Sequence, residues 1–455
     1  MPSWLAALAI SIAGCSGGSP APPRVLVLIS IDTLRADHLG CYGNRIVQTP
    51  HMDRLAAEGV VFDNHVSSCP TTLNSHTSLM TGTYGHTHGA ARNGFVVREG
   101  NTMLAEALRD SGYATAGFAG AFPLHTRFGF SQGFDHYDAA VKSRSGDQVN
   151  DRVLRWLDGQ DAERLFLFVH YWAAHYPYTP PPPYDRMYRR DALGIRGTMG
   201  DIERVRDALA SDLPEAGRQS DALRAAYAGG VTFVDAHVGA LLDGLRARGI
   251  YDEALILLTS DHGEAMDEHD EYWDHGRTTY ASSTHVPLIV KLPGGRLAGT
   301  RSSLVASNVD VMPTILELTG VSPPPAVEGA SFASVFDGGP TEPRPPAFSE
   351  ATKPHPATVE PGAWTNRRND KAVRSGDWKL IHRPRTGETE LFDLGTDPGE
   401  TRDLLRRPTR AARQRARKLL TALRTWSERA GAAARRDASD ESLETLRALG
   451  YAGGE

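Results

Sequence analysis

Two continuous apolar runs in this chain each end on a carboxylate. RVLVLISI stops at Asp32, and ALILLTS stops at Asp261, which His262 follows. A carboxylate is a hard oxygen donor and an imidazole a borderline nitrogen donor, so these three side chains, brought together, could hold one divalent cation. Such a cation would neutralise an anionic substrate and polarise it. SDHG alone is a weak signal, because an Asp–His pair at a strand end is often a capping and hydrogen-bonding unit. Its meaning depends on what positions it.

Unbroken apolar runs of this kind predict strands buried on both faces, and RLFLFVHYW is a third. TMLAEALRDSGY has helical spacing, and RAAYAGGVTFVDAHVGALLDGLRARG predicts a long amphipathic helix. Strands that alternate with helices imply an α/β fold, a mostly parallel sheet between helices. Ligand sites in such sheets lie beyond the carboxyl ends of the strands, where both aspartates fall. From about Pro340 the chain turns Pro-rich, and KAVRSGDWKLIHRP and TELFDL then predict a small antiparallel subdomain. The expected division is 1–23, signal and tether; 24–340, α/β domain; 341–404, β subdomain; and 405–455, basic helical segment. Arg402 to Arg436 is Arg-rich, with Leu404, Leu419, Leu420, Leu423 and Trp426 interspersed, which predicts an amphipathic helix. It either docks on the domain with a solvated basic face or lies on a membrane surface; docking is the expectation.

A chain of 455 residues accommodates one large domain and a smaller one. Its net charge of −6 gives no electrostatic reason to expect a nucleic-acid partner, and that class is set aside. The opening MPSWLAALAISIAGCSGG has an apolar run shorter than the ~20 residues that span a bilayer and ends in small residues, like a signal peptide. IAGC resembles a bacterial lipobox, which implies lipid attachment at Cys15, a place in the cell envelope on the periplasmic side and, with Ser16 following, the outer membrane. No Lys or Arg precedes the run, so an ordinary cleaved signal or a misassigned start is the alternative. SGGSPAPP then reads as a flexible tether. Cys41 and Cys69 remain, too few for a disulfide framework.

LISIDTLRADHLGCYG, NSHTSLMTG, HYWAAHYPY, LTSDHGE and HVPLIVKLPG occur in the order and rough spacing seen in sulfatases and their relatives in the alkaline phosphatase superfamily. SGDWKLI and ELFDLGTDPGE resemble the sulfatase C-terminal subdomain. The resemblance runs from Arg24 to about Leu404 and implies an alkaline phosphatase-like fold and hydrolysis of sulfuric or closely related anionic esters of a small molecule, glycan or lipid. It also implies one divalent cation at Asp32, Asp261 and His262, with Ca2+ expected and Mn2+ or Zn2+ as alternatives. Placing LMTG on the family's LTG puts Thr72 where sulfatases carry a Cys or Ser that is oxidised to formylglycine. Thr72 is thereby the expected nucleophile and sits beside the metal. His175 looks like the histidine that protonates the leaving group. His275 falls near the lysine that contacts the substrate sulfate, with Arg277 as a rival.

The chain departs from the pattern in several places. Thr33 stands where many sulfatases have a second aspartate, His76 replaces the nucleophile's Arg partner, and AGAF at 119–122 lacks a Lys and a His. Phosphonate monoester hydrolases offer a partial parallel, in which Asn93, Tyr113 and Thr115 would supply neutral donors to the substrate oxyanion. Asn93, in RNG, reads equally well as a turn residue. Formylglycine chemistry is closed to threonine, whose oxidation would give a ketone. A Thr72 alkoxide beside a metal could still attack phosphorus and form a phosphothreonine that metal-bound water hydrolyses. Three readings follow: a sulfuric-ester hydrolase with an unusual hydroxyl nucleophile, a phosphodiester or phosphonate hydrolase on the same scaffold, and a non-catalytic lipoprotein that binds anionic ligands.

Overall fold

The computed structural model describes residues 21–139, 145–189, 193–338, 344–353, 369–429 and 439–448, so Cys15 lies outside them. The strands are β1 (Val25–Ile31), β2 (Val60–Val66), β3 (Ala114–Ala119), β4 (His136–Ala139), β5 (Leu165–Tyr171), β6 (Ala254–Ser260), β7 (Leu288–Lys291) and β8 (Thr300–Ser307), followed by β9 (Ala347–Glu350), β10 (Lys371–Ser375), β11 (Trp378–Arg383) and β12 (Glu388–Asp393). The first eight form one sheet in the order β4-β3-β5-β1-β6-β7-β2-β8, and the last four a second in the order β12-β11-β10-β9. β7 runs antiparallel to both its neighbours, and the other pairs of the large sheet are parallel.

The three apolar runs are β1, β5 and β6, and every residue in them is buried. Alternate side chains go to opposite faces. Val25, Val27, Ile29 and Ile31 join a core with the long helix Ala216–Ala247, while Leu26 and Leu28 join the core on the other face. Helices therefore cover both faces, as the alternation of elements predicts. The register fixes the site: Ile31 lies opposite Ser260 on β6 and opposite Tyr171 on β5. Asp32 and Asp261 consequently leave the sheet side by side at its carboxyl edge.

The same register corrects one expectation. Tyr113 and Thr115 lie at the amino end of β3, opposite the site edge, and both are committed elsewhere. The Tyr113 hydroxyl donates to the Pro23 carbonyl at 2.6 Å, and the Thr115 hydroxyl donates to the Gly133 carbonyl at 3.0 Å. They are not oxyanion donors. The positions at the carboxyl end of β3 are Ala119–Phe122, which carry no polar side chain.

The small sheet is antiparallel throughout. On it lies the helix Arg410–Glu428, whose Ala412, Ala416, Leu419, Leu423 and Trp426 pack with Val373, Leu380 and Leu391. The opposite face carries exposed Arg410, Arg413, Arg417 and Arg424. The apolar stripe is thus used in docking, as expected. Trp426 stacks on Phe348 at 4.9 Å and meets Tyr84 edge-on at 5.2 Å, which ties the helix to both sheets' surroundings. Trp426→Ala is expected to destabilise the protein by about 3 kcal/mol or more, the usual cost of deleting a buried aromatic. Chemical denaturation checks this; a midpoint unchanged from wild type would contradict the packing described.

Candidate active site

Thr71, in extended conformation, leads into the helix Thr72–Thr81, which Gly82 ends in the left-handed conformation. Thr72 is its first residue, where backbone N–H groups lack intrahelical partners and the helix dipole favours negative charge. The Leu73 N–H donates to Asn93 Oδ1 at 2.9 Å, so Asn93 holds the start of this helix. His76, one turn on, donates from Nδ1 to the Thr72 carbonyl at 2.8 Å and accepts at Nε2 from the Ser30 hydroxyl at 2.8 Å. A carbonyl only accepts, which fixes that tautomer. The Thr72 hydroxyl oxygen is buried and has no hydrogen-bond partner among the described residues.

Asp32, Asp261 and His262 bring one ligand atom each to within 4.8 Å of one another, all fully buried. His262 Nε2 lies 3.4 Å from Asp261 Oδ2 and 4.0 Å from Asp32 Oδ1. Asp261 Oδ1 accepts the N–H groups of Thr33 at 3.1 Å and His262 at 2.8 Å, which turns Oδ2 towards the cluster. His262 Nδ1 is held by the Gly263 carbonyl at 2.8 Å, which leaves Nε2 as the ligand atom. Both Asp32 oxygens, Asp261 Oδ2 and His262 Nε2 make no hydrogen bond among the described residues. Two adjacent buried carboxylates without counter-charge are costly, and burial and Asp261 push the Asp32 carboxyl well above the usual carboxylate range. A divalent cation fits this donor set and would relieve both costs. Thr33 adds no carboxylate to the set, and its hydroxyl donates back to the Asp32 carbonyl at 2.8 Å.

Three imidazoles line up from this cluster. The His275 ring lies 4.5 Å from that of His262, and the His175 ring 5.2 Å from that of His275. His175 Nδ1 donates to the Tyr176 carbonyl at 2.7 Å, and His275 Nδ1 lies 3.0 Å from Glu264 Oε1. Burial, then neighbouring His275, holds the His175 imidazole well below its ordinary range; burial, then His262 and Lys353, does the same for His275. Burial pushes the Glu264 carboxyl up to about 7. Arg277 is instead turned to Asp274 at 3.6 Å and is 40% exposed.

The structure thus brings Asp32, Asp261, His262, Thr72, His76, His175 and His275 together, with Asn93 behind Thr72. Sequence reasoning missed His170, Glu264 and Lys353. His170 sits in the third apolar run opposite Ser30, with Nε2 3.8 Å from Asp32 Oδ2; the pairing of the runs was its only signal. Glu264 follows SDHG and receives the Tyr178 hydroxyl at 2.8 Å. Lys353, from the small lobe, lies 2.5 Å from Asp274.

The sulfatase family model matches residues 24–321, and that of the N-sulphoglucosamine sulphohydrolase C-terminal region matches residues 268–426. The chain is 25% identical to the N-acetylglucosamine-6-O-sulfatase of Bacteroides thetaiotaomicron over 90% of its own length and 87% of that protein's. Its structure is similar to the phosphonate monoester hydrolase of Agrobacterium radiobacter, with TM-score 0.73, 25% identity and coverage of 89% and 96%. It also shares its fold with a protein solved in complex with its substrate D-glucosamine-2-N,6-O-disulfate, with TM-score 0.74, 21% identity and coverage of 90% and 98%.

Proposed function

Because the chain belongs to the sulfatase family, we propose that it hydrolyses sulfuric esters of sugars at a divalent-metal site, with unmodified Thr72 as the nucleophile. The observation that carries this reading is the set of buried, unpartnered acceptor atoms of Asp32, Asp261 and His262, linked to Thr72 through His76, whose Nδ1 lies 3.6 Å from Asp261 Oδ2. A bound cation would supply positive charge to an oxyanion and to the anionic ester. The Thr72 hydroxyl gives its proton to water, and its oxygen forms a bond to sulfur as the ester's bridging S–O bond breaks. His175 gives a proton from Nε2 to the departing oxygen; the anionic ester beside it favours the imidazolium that burial otherwise disfavours. Water then attacks sulfur, the Thr72 oxygen leaves with a proton, and sulfate is released. His275, with Nδ1 fixed by Glu264, orients the anionic group. The sulfated-sugar substrate rests on the relative from Bacteroides thetaiotaomicron.

A second reading, phosphodiester or phosphonate ester hydrolysis by the same residues, is favoured by the hydroxyl nucleophile and by the similarity to the phosphonate monoester hydrolase. Metal-loaded protein assayed in parallel on an aryl sulfate, a phosphate diester and a phosphonate ester separates the two. Sulfate release is the expected outcome. Turnover of the phosphorus esters alone would establish the second reading, and turnover of none would leave a binding protein. Ca2+ remains the proposed ion of the family pattern, and the imidazole donor makes Mn2+ or Zn2+ the alternatives. We also propose lipid attachment at Cys15: Cys15→Ala should move the protein out of the membrane fraction, and unchanged fractionation would contradict it.

A further inference from the structure

We propose that Lys353, carried by the small lobe, is a substrate-binding residue whose ammonium takes a non-bridging oxygen of the ester's anionic group, with Asp274 as its resting partner. This rests on the hydrolase reading above.

The backbone around Lys353 is built against the segment that delivers Thr72. The Glu350 N–H donates to the Ser68 carbonyl at 3.0 Å, and the Ser349 hydroxyl to the Ser67 carbonyl at 2.6 Å. The Thr352 hydroxyl lies 3.1 Å from that of Thr71 and 3.2 Å from Cys69 Sγ. Strand β9 therefore carries Lys353, three residues beyond its end, to the start of the Thr72 helix. Its N–H donates to the Gly276 carbonyl at 2.9 Å. Gly276 has a φ of +97°, and a Cβ there would lie 2.8 Å from Lys353 Cβ and 3.0 Å from Thr71 Cγ2. Only glycine leaves the notch in which the lysine stem passes beside Thr71.

The ammonium at the end of that stem is 2.5 Å from Asp274 Oδ1, the oxygen that also accepts the His275 N–H at 2.9 Å. Asp274 alone does not account for it. Arg206 at 3.8 Å and Arg277 at 3.6 Å face the same carboxylate, so among the described residues three cations meet one clear negative charge. The nearby Glu271 carboxyl is pushed up to about 7 by burial and by Asp274, so it adds only part of a second charge. Positive charge is left over one residue from His275, while Ala119–Phe122 offers no cation at the sheet edge. A buried ion pair contributes little net stability. Lysine, a compact charge on a flexible stem, can move from a carboxylate to a tetrahedral oxyanion without backbone change.

Calorimetric titration of metal-loaded protein with inorganic sulfate, alongside aryl sulfate kinetics, tests this on Lys353→Met, which keeps the stem in the notch, and on Lys353→Arg. The methionine variant should weaken sulfate binding and raise KM by roughly ten-fold or more, the scale of one charge-assisted hydrogen bond, with kcat changed less. The arginine variant should recover part of both. If the methionine variant lowers only the melting temperature and binds sulfate as wild type does, Lys353 is a clamp between lobes and the proposal is overturned. Sulfate binding that depends on Lys353 in a wild-type protein that hydrolyses no sulfate or phosphorus ester would sink the hydrolase reading and leave the lysine's assignment standing.

Discussion

Thr72→Ala is expected to lower turnover by roughly four orders of magnitude or more, the scale on which deleting a covalent catalyst's nucleophile acts. The fold should survive. The Thr72 hydroxyl makes no hydrogen bond among the described residues, and the helix start is held by Asn93 and His76 through backbone atoms that alanine keeps. Thr72→Ser should retain part of the activity, since the oxygen stays at the helix N-terminus and only a methyl group is lost. Steady-state kinetics with circular dichroism checks both at once. Full activity of the alanine variant on every ester would refute the assignment.

Asp261→Asn should abolish metal retention together with activity. The asparagine can still accept from the Thr33 and His262 N–H groups that Asp261 Oδ1 receives, so the turn keeps its shape while the charge disappears. Loss of partners behind a ligand costs about 10–100-fold in metal affinity, and loss of a ligand charge should cost more. The fold of the metal-free variant should survive, because the asparagine keeps both backbone contacts at this turn. Elemental analysis after dialysis and thermal denaturation measure the two effects. A variant that holds its ion as wild type does would remove Asp261 from the site.

The parts of the site that were legible in the sequence are those fixed by short-range pattern. An apolar run ending on a carboxylate locates Asp32 and Asp261, because a strand buried on both faces must stop where a charge begins. Thr72, His175 and His275 were reached through resemblance, and the structure brings all three to the same edge. What the sequence hid depends on contacts between distant segments. Lys353 follows a strand of the small lobe and reaches Gly276 and Asp274 only because β9 lies along Ser67 and Ser68. His170 became visible once β1 and β5 were paired. Tyr113 and Thr115 were misplaced because a motif match does not say at which end of a strand a residue falls. Asn93 Oδ1 accepts the Leu73 N–H at the start of the Thr72 helix, a contact that neither the turn-residue nor the oxyanion-donor reading of its sequence anticipated.

Thr72 is proposed as the residue whose hydroxyl oxygen receives the transferred group. Rapid acid quench of metal-loaded protein during turnover, followed by peptide mass mapping across Cys69 to Gly94, tests it most directly. The predicted result is an added sulfuryl group on otherwise unmodified Thr72, absent from the Thr72→Ala variant. An aldehyde at Cys69, or the group found on another residue, would contradict it.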